Sequence, residues 1–167
     1  YGSGLVKNAY VGRTFIQPSQ TIRQLGIRLK LNPLREVIEG KRLVVVDDTI
    51  VRGNTQRAVI KMLREVGAKE IHVRITAPPV KWPCFYGIDT PRKSELIAAT
   101  HTLDEIKDFL EADSLAYLSV QGLTTAVGSN HNSYCTSCYT GHYPVECPRD
   151  EKTYLQLALK LDKDPVV

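Results

Sequence analysis

The stretch LVVVDDTIVRGNT, from Leu43 to Thr55, decides the fold predicted for this chain. It begins as a near-continuous apolar run, the pattern of a parallel strand buried on both faces. The run ends in two adjacent carboxylates, Asp47 and Asp48, and a short loop of small and polar residues follows. Apolar residues then recur along one face from Thr55 to about Val66, which predicts an amphipathic helix. The stretch therefore predicts a strand, an acidic pair, a loop and a helix in succession.

The loop between this strand and helix has the composition of a phosphate cradle. Backbone amides and the positive end of a helix dipole both favour an anion at such a position. Thr49 and Thr55 add hydroxyl groups, and Gly53 permits a positive φ and close approach to a ligand. The alternative interpretation is an ordinary polar turn after a strand.

The two carboxylates would not bind the anion themselves, because like charges repel. They could accept hydrogen bonds from vicinal hydroxyls, or hold Mg²⁺ through oxygen or water ligands. A ribose 5-phosphate with a metal-bound pyrophosphate would give the loop its phosphate and would give the carboxylates vicinal hydroxyls and a metal ion.

The segment VVVDDTIVRGNT resembles the phosphoribosylpyrophosphate (PRPP) binding motif of the type I phosphoribosyltransferases. Three further segments resemble the C-terminal half of the glutamine PRPP amidotransferases: YVGRTFIQPSQTIRQLGIRLKLN at residues 10–32, PPVKWPCFYGID at residues 78–89 and CTSCYTGHYP at residues 135–144. The resemblance extends from about Tyr1 to Pro148. It implies an α/β fold, a doubly wound and mostly parallel sheet with a cysteine-containing C-terminal extension.

The resemblance also implies the site residues. Asp47 and Asp48 would be catalytic residues that hold the ribose hydroxyls and Mg²⁺, and Arg13 would be a further catalytic residue. Lys7 and Gln17 would contact the closed site, because residues 10–32 correspond to the mobile loop that closes over PRPP in this family. The remaining PRPP-binding residues would be those of the loop itself: Thr49, Ile50, Val51, Arg52, Gly53, Asn54 and Thr55.

The reaction implied by the family is displacement of pyrophosphate from PRPP by ammonia, which gives 5-phosphoribosylamine in the first step of de novo purine biosynthesis. The ammonia would come from a glutaminase domain that this chain lacks. Purine nucleotides would act as feedback inhibitors, the protein would form a homo-oligomer, and its location would be cytoplasmic. Two alternatives remain open: a base-salvage phosphoribosyltransferase and a non-catalytic PRPP-binding regulator on the same fold.

The cysteines indicate a second possible site. Cys135 and Cys138 form a CxxC pair, which by itself is compatible with zinc, redox or structural use. In the iron–sulfur-containing subgroup of the family, Cys84, Cys135 and Cys138 correspond to three ligands of a [4Fe-4S] cluster, and the fourth ligand lies upstream of this chain. Cys147 matches no ligand of that family. Zinc bound by the cysteines with His131 or His142 is the alternative.

Composition excludes several other classes of protein. The chain has 167 residues, 43% hydrophobic and 24% charged, which is typical of a folded domain. The formal charge of +4 comes without a basic run interleaved with aromatics, so a nucleic-acid partner is not predicted. No apolar run approaches the roughly 20 residues of a membrane span, so no membrane partner is predicted either.

Alternating segments along the chain predict the doubly wound sheet, with the ligand at the carboxyl ends of the strands. Strands are predicted at residues 5–8, 43–47, 70–77 and 115–120. Helices are predicted at residues 19–31, 55–66, 94–99 and 102–110, and in a short stretch that ends near residue 128. Residues 1–128 are predicted to form a phosphoribosyltransferase domain truncated at its start, and residues 129–167 a cysteine-bearing extension packed on it.

Overall fold

The computed structural model describes residues 1–8, 31–88, 90, 92–128 and 134–147. The five strands in these ranges are β1 (Leu5–Lys7), β2 (Leu31–Pro33), β3 (Arg42–Asp47), β4 (Glu70–Ile75) and β5 (Ser114–Tyr117). The helices are α1 (Arg35–Ile38), α2 (Asn54–Glu65), α3 (Ile97–Thr100), α4 (Leu103–Leu110), α5 (Val120–Ala126) and α6 (Ser137–Thr140), with a 3-10 helix at Lys93–Glu95. Within the described ranges, no helix combines the length and the apolar character needed to cross a membrane.

The strands form two sheets. β1 and β2 pair antiparallel, whereas β3, β4 and β5 form a parallel sheet in that order. Asp47 at the end of β3 lies opposite Ile75 of β4, which in turn lies opposite Tyr117 of β5. The carboxyl ends of all three strands therefore share one edge. This arrangement confirms the predicted α/β class with a parallel sheet.

The hydrophobic core lies between one face of the parallel sheet and the helices α2 and α4. It is built from apolar side chains that alternate along each strand and recur along one face of each helix. Its most deeply buried members include Ile71, Val73 and Ile75 of β4, Leu115 of β5, Ile60 and Leu63 of α2, and Ile106 and Leu110 of α4. The loop that connects β3 to α2 is therefore positioned by the packing of the sheet against these two helices.

The prediction that β3 is buried on both faces is wrong. Val44 and Val46 are 65% and 63% exposed, whereas the intervening Val45 packs against the core. The same exposed face carries His72 and Arg74 of β4. An unbroken run of valines has no polar alternation, so the sequence could not reveal that only one face meets helices in the described part of the chain.

Several element boundaries differ from those expected. β5 ends at Tyr117 because Ser119 caps the next helix, accepting a hydrogen bond on its hydroxyl from the Gly122 amide at 2.9 Å. The helix expected at residues 94–99 is a 3-10 helix followed by the short α3. Leu31 opens β2 instead of ending a helix, and the rest of the 19–31 prediction lies outside the described residues. The tail beyond residue 147 is also outside them.

A capping box begins α4, the helix predicted at residues 102–110. The Thr102 hydroxyl accepts a hydrogen bond from the Glu105 amide at 3.3 Å, and the Thr102 amide donates to Glu105 Oε2 at 2.7 Å. Hydrogen bonds from Thr102 also hold the pKa of Glu105 below its ordinary value. This cap fixes the start of the helix that packs beside α2.

Candidate functional site

The acidic pair lies at the carboxyl end of β3, on the edge shared by the parallel strands. Its backbone is tied to the neighbouring strand end: the Thr76 amide donates to the Asp47 carbonyl at 3.0 Å, and the Ala77 amide donates to the Asp48 carbonyl at 3.1 Å. These bonds continue the β3–β4 pairing past the last residues of both strands. The pair is therefore held on a rigid element at the edge where open parallel sheets bind ligands.

The two carboxylates have different surroundings. Asp47 is half-buried and accepts from the Asp48 amide on Oδ1 at 3.0 Å and from Gln56 Nε2 on Oδ2 at 2.8 Å. Asp48 is exposed, and its Oδ1 accepts from the Thr49 amide at 2.6 Å. Asp47 is thus oriented by contacts on both oxygens, whereas Asp48 is held at the first residue of the loop and faces solvent.

Gln56 is a site residue that the sequence interpretation missed. Its Nε2 donates to Asp47 and also to the Thr49 carbonyl at 3.0 Å, so it ties the strand end to the loop. Gln56 is the third residue of α2, whose first residue is Asn54. A Gln at this helix position commonly reaches back toward the preceding loop, which is the signal that could have identified it.

The loop turns into α2 at Gly53, as predicted. Gly53 has φ +76°, in the left-handed region that side-chain-bearing residues avoid, and it is the residue that precedes the helix. A Cβ placed there would lie 3.0 Å from Phe109 Cε1 and 3.3 Å from Ile97 Cδ1. Both the backbone conformation and the close packing of neighbouring side chains therefore require glycine at this position.

The loop is braced from outside by the segment that contains the 3-10 helix. The Ile97 amide donates to the Val51 carbonyl at 2.9 Å. Arg52 forms an ion pair with Glu95, with Nε 2.8 Å from Oε2. The guanidinium of Arg52 is therefore engaged by a carboxylate at the side of the loop.

The other predicted loop residues divide into buried and exposed positions. Ile50 is 1% exposed and belongs to the core, so only its backbone could meet a ligand. Asn54 and Thr55 are exposed in the first turn of α2. Amides at the start of a twelve-residue helix, together with a glycine that allows close approach, are suited to an anion such as a phosphate.

The remaining predicted residues of the PRPP site lie at the N-terminal end of the chain. Lys7 ends β1 in the two-stranded sheet, opposite Leu31, and is exposed. Arg13 and Gln17 lie outside the described residues. The structure therefore places the acidic pair and the loop together, puts residues 31 and 32 in β2, and leaves the contribution of residues 10–30 as a prediction.

The CxxC segment lies beside the segment that carries Cys84. The carbonyl of Cys138 accepts from the amides of Lys81 and Trp82 at 2.9 and 3.0 Å. Burial raises the pKa of the Cys138 thiol, and negative charge at Cys135 and then at Cys84 raises it further. Hydrogen bonds from Ser137 lower the pKa of the exposed Cys135. The amide contacts place Cys138 beside the segment that carries Cys84, and the binding of a cluster by the three cysteines stays a prediction.

Among the described residues, no three His, Cys, Asp or Glu side chains are arranged around the position of a single metal ion. A single zinc ion draws its ligands to about 2.0–2.3 Å, whereas a four-iron cluster distributes its thiolates over separate irons. His142 is exposed, and His131 lies outside the described residues. Cys147 contacts the Tyr86 hydroxyl through its Sγ at 3.3 Å.

Tyr139 of α6 connects the cysteine-bearing segment with the rest of the site. Its ring packs against the hydrophobic core beside the parallel sheet. Burial raises the pKa of Tyr139, and negative charge at Cys138 and at Asp48 adds to the increase. The charge of Asp48 therefore acts on Tyr139 of α6, a coupling that nothing in the sequence around Tyr139 indicated.

Known protein families and sequences match the part of the chain that carries the predicted site. Residues 5–79 match the family model described as the phosphoribosyl transferase domain. The chain is 63% identical over 155 residues to the amidophosphoribosyltransferase of Mycobacterium bovis. The match covers 90% of this chain and 29% of that protein. It is 53% identical over 152 residues to the amidophosphoribosyltransferase of Synechococcus elongatus, which covers 91% of this chain and 31% of that protein.

The fold is also similar to a solved structure, the glutamine PRPP amidotransferase from Bacillus subtilis complexed with ADP and GMP. The TM-score is 0.74 at 53% sequence identity, over 88% of this chain and 33% of that chain. The present chain thus spans about a third of the length of the relatives that it matches. Over the matched residues, the chain is similar in sequence and in fold to the amidophosphoribosyltransferases.

Proposed function

We propose that this chain provides the PRPP-binding and phosphoribosyl-transfer part of an amidophosphoribosyltransferase. The reaction is the displacement of pyrophosphate from PRPP by glutamine-derived ammonia, which gives 5-phosphoribosylamine in the first step of de novo purine biosynthesis. The observation that carries this proposal is the arrangement at the end of β3. There an oriented acidic pair is followed by a braced loop that leads through Gly53 into the start of α2.

The loop would bind the 5-phosphate of PRPP. Its amides and the N-terminal end of α2 supply donors and positive potential, and the Thr49 and Thr55 hydroxyls can add hydrogen bonds. Gly53 allows the backbone to approach the phosphate closely. Because the loop is already tied to Glu95 and Ile97, little conformational freedom has to be lost when the phosphate binds.

The acidic pair would hold the ribose and stabilise the transition state. Each carboxylate can accept hydrogen bonds from ribose hydroxyls, which orients C1 relative to the pyrophosphate. As the bond from C1 to the pyrophosphate oxygen breaks, positive charge develops on the ribose ring. Asp47 and Asp48 supply fixed negative charge near that position and therefore lower the barrier.

The donor set of the acidic pair suits Mg²⁺. This ion prefers oxygen ligands and commonly binds through one or two carboxylates together with substrate phosphates. Asp47 and Asp48 would hold it directly or through water, and when bound it would neutralise charge on the departing pyrophosphate. Phosphate oxygens of the substrate and water would complete the coordination.

The bond changes require little from the protein besides positioning. The lone pair of ammonia forms the new bond to C1, and the electrons of the C1–oxygen bond leave with pyrophosphate. The resulting ammonium then loses a proton to water. A glutaminase domain would supply the ammonia. Lys7, Arg13 and Gln17 would contact the site when residues 10–32 close over PRPP, which would exclude water from the reacting centre.

We also propose that Cys84, Cys135 and Cys138 bind a [4Fe-4S] cluster with a fourth ligand from outside this chain. The amides of Lys81 and Trp82 donate to the Cys138 carbonyl. These contacts support the proposal, because they bring the two cysteine-bearing segments together. Thiolates are the usual ligands of such clusters. All four cysteines of the chain are free thiols, which also favours a reducing, cytoplasmic location.

The wider properties of the protein are proposed from its relatives. The Bacillus subtilis structure was solved with ADP and GMP, which supports purine nucleotides as feedback inhibitors here. We further propose a homo-oligomeric assembly. A base-salvage enzyme or a PRPP-binding regulator would share the central motif, but the match to amidophosphoribosyltransferases extends over about 90% of the chain and favours the amidotransferase.

The test of the proposed function is the double substitution Asp47→Asn with Asp48→Asn. We expect it to abolish binding of PRPP in the presence of Mg²⁺, measured by titration calorimetry, because each neutral amide removes an acceptor and a charge. Asp104→Asn is the control, since Asp104 is an exposed carboxylate on α4. Unchanged PRPP affinity in the double variant would contradict the proposed site, and formation of phosphoribosylamine from PRPP and ammonium salts is the activity readout.

A further inference from the structure

Gln56 is a half-buried residue whose side-chain amide faces the acidic pair. Its Nε2 lies 2.8 Å from Asp47 Oδ2 and 3.0 Å from the carbonyl oxygen of Thr49. Both partners are acceptors with no proton to donate. The NH₂ group must therefore face them, and both of its protons are used. This assigns the orientation of the amide by chemistry alone.

These bonds fix the plane of the Asp47 carboxylate. Oδ2 accepts from Gln56, and Oδ1 accepts from the Asp48 amide at 3.0 Å. Each carboxylate oxygen can accept about two hydrogen bonds, so each keeps one direction open for a ligand hydroxyl. Asp47 is therefore pre-oriented on both sides and still able to bind.

The chemistry of Gln56 also preserves the charge of the site. A neutral amide orients the carboxylate and leaves its negative charge in place. A lysine or arginine at the same position would cancel that charge. The neighbouring loop cation, Arg52, is paired with Glu95 at the side of the loop. Asp47 thus gains orientation from Gln56, and the acidic pair keeps the negative charge that a developing ribosyl cation requires.

We infer that Gln56 is a positioning residue that orients Asp47 toward the ribose hydroxyls of PRPP and so sets the preference for ribose over deoxyribose phosphates. This inference rests on the proposed function. It assigns a role to a residue outside the acidic pair and the phosphate loop. The effect is exerted through Asp47, because Gln56 has already used both amide protons on the protein.

The test uses Gln56→Met, which keeps the length of the side chain and removes the donor. The full chain and its variants are titrated with Mg²⁺-PRPP, with ribose 5-phosphate, and with the 2-deoxy and 3-deoxy analogues of ribose 5-phosphate. Hydrogen bonds to charged groups are among the stronger ones, so we expect about tenfold weaker binding of PRPP and ribose 5-phosphate. The preference over at least one deoxy analogue should fall by a similar factor.

Lys61→Met is the matched control, because Lys61 is an exposed long side chain on the same helix. It should change neither affinity nor preference. Gln56→Glu is the second variant if Gln56→Met does not fold: it keeps the size of the side chain but turns a carboxylate toward Asp47, and it should weaken the hydroxylated ligands in the same way. The melting temperature of each variant reports whether it is folded.

The outcomes separate this inference from the proposed function. If the unsubstituted chain does not bind PRPP, the proposed function is contradicted and the inference falls with it. If the unsubstituted chain binds PRPP but the folded Gln56 variants keep its affinity and its ribose preference, the inference is overturned and the proposed function stands. Loss of affinity with loss of preference is the result that supports a positioning role over a purely structural one.

Discussion

Gly53→Ala is the substitution that best tests the geometry of the loop. Gly53 has φ +76°, and an L residue in the left-handed region costs about 1–2 kcal/mol. The new Cβ would also lie 3.0 Å from Phe109 Cε1 and 3.3 Å from Ile97 Cδ1, so the Phe109 ring would have to move. Such overpacking costs about 1–3 kcal/mol. We therefore expect the free energy of unfolding to fall by roughly 2–5 kcal/mol.

Gly40→Ala is the matched control for the backbone term. Gly40 has φ +69°, but its Cβ would meet nothing within 4 Å. The free energy of unfolding of Gly40→Ala should therefore fall only by the conformational cost, about 1–2 kcal/mol. The assay is urea unfolding of both variants, with the free energy extrapolated to water from transitions of equal slope. The difference between the two variants measures the packing of α3 and α4 against the loop.

A second comparison tests whether Phe109 is the neighbour that meets the Cβ added at Gly53. Phe109→Leu should relieve part of the overlap, so that Gly53→Ala costs less in the Phe109→Leu background than alone. If Gly53→Ala is no more destabilising than Gly40→Ala, or if the double variant is strictly additive, the close packing of Phe109 on the loop is refuted.

Two other predictions concern a partly exposed polar contact and the cysteines. The Ile71 amide donates to Asp113 Oδ2 at 2.6 Å and holds the pKa of that carboxyl below its ordinary value. The ionised carboxylate therefore adds stability above the ordinary pKa and loses it as pH falls through the folded-state pKa. Asp113→Asn should cost about 0.5–1 kcal/mol at pH 7, a modest figure because the side chain is 37% exposed, and this cost should shrink below about pH 4 in urea titrations. For the cluster, anaerobically purified polypeptide that includes the fourth ligand should contain about four irons and four acid-labile sulfides per chain, as the composition of a [4Fe-4S] centre requires. Zinc without sulfide would contradict the cluster and leave the PRPP site unaffected.

The centre of the site was predictable because it is local. A strand, two carboxylates, a glycine-bearing loop and a helix follow one another within thirteen residues, from Leu43 to Thr55. Short-range rules therefore placed Asp47 and Asp48 at a strand end and Gly53 before a helix. The capping box at Thr102 was predictable for the same reason, because its two partners are three residues apart.

Contacts between distant parts of the chain were not predictable in this way. Arg52 and Glu95 are 43 residues apart, and Gly53 meets Phe109 from a different helix. Cys138 of α6 lies beside Lys81 and Trp82 through amide contacts that no local pattern encodes. Such pairs depend on which faces of the elements meet, and periodicity alone does not specify the partner.

By itself the sequence determined the order of the elements, the position of the acidic pair and the need for glycine before α2, because backbone preference and hydrophobic periodicity act over a few residues. Only the tertiary structure decided that Val44 and Val46 face solvent and that Gln56 orients Asp47. Burial and hydrogen-bond partners are properties of the packed chain. They arise when helices cover one face of the sheet and the strand ends are brought together at one edge.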